Sequence, residues 1–156
     1  MRRILENLSI LALAALVFIP VNALYGPNPI PARIPMHFDV TGRPNGWGPS
    51  RSLWGLVFGG LVMYAVLTLV SRYPTAFNYP VKVTDENRPR LQALSLELLS
   101  WMKLEVLGLF SAIQYLIVTG ARSASLPLPA AFLPVTLGVV FGTVGVYIVR
   151  FRRAAC

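Results

Sequence analysis

The chain's single histidine, His37, stands two positions before Asp39 inside the polar and aromatic run IPMHFDVTGRPNGWGPSR, residues 34–51. In an extended strand, residues two apart share a face, so these side chains can form a histidine–carboxylate pair that binds a metal weakly or acts as a proton-sensitive latch. The plainer alternative is a histidine that hydrogen-bonds the backbone of its own loop. Zinc catalysis needs three protein ligands and a metal-activated water. One histidine, with the single cysteine at the last position, Cys156, does not supply them, so neither a metal site nor a cofactor is expected. A lone terminal cysteine also gives no internal disulfide.

Three more polar residues stand in apolar surroundings: Glu105, about one turn inside the third apolar segment, Lys103 just before it, and Gln114 deeper. Ionisable groups inside a membrane are costly and by default functional, although those near helix ends can extend to water. Lys103 is expected to do so. Glu105 is either a buried partner within a bundle or an interfacial carboxylate, and Gln114 is a hydrogen-bonding contact between helices. The sequence has no nucleophile elbow, phosphate-cradling glycine loop or carboxylate pair at catalytic spacing. No catalytic residue is assigned, and the protein is not expected to be an enzyme.

The elements that would position these residues follow from composition. Hydrophobic residues make up 55% of the 156 and charged residues 13%, against roughly 45–50% and 25% in soluble domains. The net charge of +8 does not point to nucleic acid, because the basic residues sit at the ends of apolar segments and not on one soluble face. That placement suits the positive-inside rule and attraction to a bilayer containing anionic lipids. Four segments, about 4–24, 53–70, 101–118 and 130–149, approach the roughly 20 apolar residues of a spanning helix. The expected fold is a single all-α integral membrane domain with four transmembrane helices. Segment one has Arg2 and Arg3 before it and a weak small-residue site at Val21-Asn22-Ala23, as a signal peptide would. The bulky Leu24 and Tyr25 that follow favour retention as a first span, with Pro20 kinking its last turn. With the N-terminus inside, nine Lys/Arg (Arg2, Arg3, Arg72, Lys82, Arg88, Arg90, Arg150, Arg152, Arg153) face the cytoplasm and four (Arg33, Arg43, Arg51, Arg122) face out. Both termini are therefore expected in the cytoplasm, residues 25–52 as an outer loop and 71–100 as a cytoplasmic connector and helix extension.

Six prolines and Gly42, Gly46 and Gly48 restrict and shape the outer loop, which predicts an ordered segment. Thr41-Gly42 and Asn45-Gly46 are both turn signals, Asn-Gly the stronger hairpin cue. Tyr25, Phe38, Trp47 and Trp54 suit interfacial anchoring more than a ligand platform. The third helix is expected to be capped by Asn87, to carry Pro89 in its first turn and to stop near Gly120, about 50 Å in all. Gly55-x-x-x-Gly59 and Gly138-x-x-x-Gly142 permit close helix approach, within the bundle or with a partner.

The residues Ile34-Pro35-Met36-His37-Phe38, then Gly42, Pro44, Gly46-Trp47-Gly48 and Arg51, resemble the IPxHF…G…DGW signature of a bacterial membrane domain of unknown function found at the N-terminus of SdpI-type toxin-immunity and signal-transduction proteins. Asn45 stands where that pattern has aspartate, and Arg51 where lysine is usual. A second block, Tyr73-Pro74, Phe77-Asn78-Tyr79-Pro80 and Thr84-Asp85-Glu86-Asn87, is similar to the connector of short stand-alone members. The resemblance implies a small bacterial inner-membrane binding or sensor protein whose outer loop engages a protein partner, with His37, Phe38, Asp39, Asn45 and Trp47 as the contact residues. The alternative is an accessory structural subunit that packs its glycine-rich helices in a larger membrane complex.

Overall fold

The computed structural model describes residues 1–39, 41–123, 129 and 131–155. Ala130, where the fourth span was expected to begin, and Cys156 lie outside the described residues. The chain runs as helix α1 (Arg2–Tyr25), an antiparallel hairpin of β1 (Arg33–Phe38) and β2 (Pro44–Pro49), α2 (Leu53–Val70), α3 (Arg88–Ser123) and α4 (Phe132–Ala154). Among the described residues four helices are long and apolar enough to cross a membrane. The first three expected spans fall inside α1, α2 and α3, and the fourth is displaced to Phe132–Ala154. α1 continues through Pro20 to Tyr25.

α3 starts on a reciprocal pair in Thr84-Asp85-Glu86-Asn87. The Asn87 N–H donates to Thr84 Oγ1 at 3.3 Å, and the Thr84 N–H donates to Asn87 Oδ1 at 2.9 Å. This is a capping box with asparagine in the usual glutamate position. The cap is thus Thr84 and not Asn87, whose side-chain oxygen reaches backward instead of covering the first turn. Pro89 falls just beyond, where a missing N–H is tolerated. The helix is 36 residues long, about 54 Å against a hydrocarbon core of about 30 Å.

α1 and α3 run parallel, with α2 antiparallel to both. Leu16, Val57 and Leu107 form the centre of this three-helix core. Gly60 makes it possible: a Cβ there would stand 2.3 Å from Leu16 Cδ2 and 3.3 Å from Leu107 Cδ2. A second cluster, Ala23, Ile30, Ile34, Leu53, Ile117 and Val118, closes one end under the hairpin. A third, Leu91, Tyr147, Phe151 and Ala154, joins α4 to α3 at the other end, where the connector adds Tyr79 edge-on to Phe151 at 6.1 Å. α4 rests chiefly on α3.

Candidate functional site

The hairpin turn is built by its own polar groups. Asp39 Oδ1 accepts from the Thr41 N–H at 2.8 Å, the Thr41 hydroxyl at 2.6 Å and the Arg43 N–H at 3.0 Å, while the Gly42 N–H donates to the Asp39 carbonyl at 2.9 Å. Gly42 holds φ at 81°, a left-handed conformation that suits glycine. The Thr41 hydroxyl bond first, then the Arg43 N–H, holds the Asp39 carboxyl below its ordinary value. Two expectations are corrected here. The turn forms at Thr41-Gly42, and Asn45-Gly46 lies inside β2, where Gly46 sits opposite His37. There a Cβ at Gly46 would come within 3.0 Å of His37 Cβ, so the glycine answers a close approach instead of a turn. His37 also does not pair with Asp39, whose oxygen the turn has taken. Its Nδ1 is hydrogen-bonded to Asn45 Oδ1 across the strands. With a carbonyl oxygen accepting, Nδ1 is the donor in that bond.

Ile34 is fully buried beneath the hairpin, and Phe38 packs partly against the same cluster. Phe38 is therefore turned inward more than the reading of it as a contact residue implies. Trp54 likewise packs partly into the central cluster, which leaves Tyr25 and Trp47 as the exposed aromatics of the expected anchoring set. Arg122 fastens this end of the molecule. Its Nη2 donates to Asn22 Oδ1 at 3.3 Å and to the Asn28 carbonyl at 3.0 Å. Met36, His37 and Trp47 are exposed on the hairpin, and Trp47, 57% exposed, borders a cavity of about 380 Å³ with Pro35, Gly120 and Ala121.

Inside the bundle the sequence reading missed a charged cluster. Lys103 turns inward and is 2% exposed; its Nζ donates to Glu6 Oε1 at 2.9 Å, Glu6 Oε2 at 2.7 Å and Thr68 Oγ1 at 3.3 Å, 5.3 Å from the Tyr64 ring centre. The Ser100 hydroxyl adds a bond to Glu6 Oε1 at 2.7 Å. The expectation that Lys103 extends to water is thus corrected: Ser100, Lys103, Leu107 and Gln114 share the buried face of α3, and the carboxylate lies on that face. One signal was present in the sequence, since Glu6 is the sole acidic residue of the first segment. Gln114 is also buried there and donates to the Leu53 carbonyl at 3.0 Å, with its Oε1 unpartnered.

Glu105 points the other way, toward α4, where it accepts from the Thr143 hydroxyl. It lines a cavity of about 210 Å³ with Gly108, Leu109, Ala112, Phe132, Val135, Thr136, Val139 and Val140. Of the expected packing glycines, Gly59 meets Phe110 at 3.4 Å, while Gly55, Gly138 and Gly142 have nothing within 4 Å. Among the described residues no three His, Cys, Asp or Glu side chains gather as a metal site would require.

A helix, an ordered hairpin and a second helix, packed on a long third helix, define the class: a mostly helical protein with four helices fit to span a membrane. Residues 10–61, from within α1 through the hairpin to the middle of α2, match the model of a domain of unknown function (DUF1648). The match covers the first of the two blocks on which the resemblance rests; the second, 73–87, lies beyond it. No curated protein and no solved structure matches the chain.

Proposed function

We propose that this is a non-enzymatic binding protein of the bacterial inner membrane, with both termini in the cytoplasm and the hairpin outside as a preformed recognition surface in the manner of SdpI-type proteins. The supporting observation is the division of labour in the hairpin: Ile34 is buried on the helix ends, while Trp47 and the His37–Asn45 pair remain on the surface. An exposed tryptophan on a fixed support has little conformational freedom left to lose on binding, and tryptophan is frequent among dominant contact residues. The partner is a peptide or protein, met at a bilayer whose anionic lipids suit the basic inner loops. To test this, a photo-crosslinker replaces Trp47 in living cells. A discrete crosslinked protein, lost on His37→Ala with membrane levels unchanged, is the expected result; crosslinks to lipid alone would reject it. Orientation is tested by labelling the lone Cys156 with a membrane-impermeant maleimide, which is expected to react only after the cells are opened.

A second reading, as an accessory subunit, has one observation in its favour. Among the described residues nothing lies within 4 Å of a Cβ added at Gly138 or Gly142 on α4. A mild-detergent pull-down that recovers a large assembly at fixed stoichiometry, reduced by Gly142→Leu, would favour this reading over the first.

A further inference from the structure

Two carboxylates face opposite sides of α3's neighbourhood at nearly the same depth. Glu6 meets an ammonium, Lys103. Glu105, two residues further along α3 than Lys103 and therefore about 3 Å away along the axis, meets only the neutral hydroxyl of Thr143. The cations that could serve it are engaged elsewhere: Lys103 by Glu6, and Arg150 by Glu97 at 3.1 Å. Among the described residues no ion pair reaches Glu105. Next to it α3 and α4 stand apart, leaving a groove of about 210 Å³ whose other walls are apolar apart from Thr136 and which is open on the side of the exposed Val135 and Val139. Gly108 keeps one wall open, since a Cβ there would meet nothing within 4 Å.

We infer that the Glu105 cavity between α3 and α4 is a binding site for a small aliphatic primary ammonium ion, its charge on the carboxylate and its chain along Leu109, Val135 and Val139. A carboxylate in apolar surroundings is held in its charged form by an opposite charge, and among the described residues no cation pairs with Glu105. The volume lies below the roughly 300 Å³ of sites for drug-sized ligands. An aminophospholipid is disfavoured because no cationic or amide side chain lines the cavity to receive its phosphate. The inference is independent of any role for the hairpin.

The test uses the full chain in phosphatidylcholine nanodiscs and the rate at which dicyclohexylcarbodiimide modifies Glu105, located by peptide mass spectrometry. n-Octylammonium is expected to slow modification at least about tenfold, while n-octanol and octanoate do not, and the exposed Glu86 serves as the internal reference. In Gly108→Leu, and separately in Thr136→Leu, the ratio of rates with and without amine is expected to fall to one; the second variant covers a misfolded first. Equal protection by octanol would show a merely apolar hole. Equal slowing at Glu86, no slowing at all, or protection that survives in folded forms of both variants would each overturn the assignment. Repeating the experiment in nanodiscs with phosphatidylethanolamine separates the sources: protection by lipid without added amine would make the occupant an aminophospholipid and overturn the small-amine assignment.

Discussion

Against α1 and α2, α3 presents Lys103 to a carboxylate, a threonine and an aromatic ring; against α4 it presents Glu105 to one threonine beside an open cavity. The first face has polar ties along its length, at Glu6, at the Ala12 carbonyl with Ser111 at 3.2 Å, and at Asn22 with Arg122. At Gly60 an added Cβ would collide with Leu16. In lipid, helices gain little from hiding apolar surface from one another, so tight packing and interhelical hydrogen bonds must hold them. The α3–α4 face lacks most of these at the level of Glu105. It is joined instead where the helices reach the connector, by Tyr147, Phe151 and Leu91. Three helices thus form a core of their own, and the fourth is fastened mainly at one end.

The strongest way to break this contrast is Lys103→Met, which leaves Glu6 without its cation. Removing one partner of a buried pair costs about 3–5 kcal/mol; Glu6 keeps 26% exposure, which places the expected loss at the lower end. Thermal unfolding in detergent is expected to fall clearly in the single variant and to recover in part in Glu6→Gln/Lys103→Met. A double variant no more stable than the single one would mean that the pair is not the source of the effect. Next in size is Gly60→Leu, an overpacked contact costing roughly 1–3 kcal/mol, set against Gly142→Leu, which is expected within about 0.5 kcal/mol of the parent. If the two variants melt alike, the distinction between the packed and open faces is lost. The smallest effect concerns the hairpin turn and pH. Because the folded Asp39 carboxyl titrates below its ordinary 3.8, its charged form favours the turn, and that contribution is present above 3.8 and disappears as pH falls through the lower folded value. NMR titration of the Arg43 amide is expected to show a midpoint below 3.8 that rises in Thr41→Val; an unmoved midpoint would remove the hydroxyl from the account.

Helix positions were largely legible because a spanning segment must be long and apolar, and α2 coincides with its expected limits. The hairpin was legible as an ordered loop with two turn signals, of which Thr41-Gly42 forms the turn and Asn45-Gly46 does not. Asn45-Gly46 carries the stronger local signal, yet Asp39 supplies an oxygen for three donors, a gain that no dipeptide preference registers. The Glu6–Lys103 pair was out of reach of local reading, since its members are 97 positions apart and apolar periodicity hardly marks a face in helices surrounded by lipid. Glu105 drew notice as an isolated charge, but whether it faced α1 or α4 depended on the angular position of α3, which only Lys103's partner fixes.

The separation of 97 positions between Glu6 and Lys103 has a consequence in time. At roughly 5–20 residues per second of synthesis, the first helix waits about 5–20 s before its cation leaves the ribosome. During that interval Glu6, only four residues from the start of α1, is expected to stay among the headgroups, so that the helix settles to its final depth when α3 arrives. A chain arrested before residue 103 should leave Glu6 open to a water-soluble carbodiimide, and one arrested well beyond it should not.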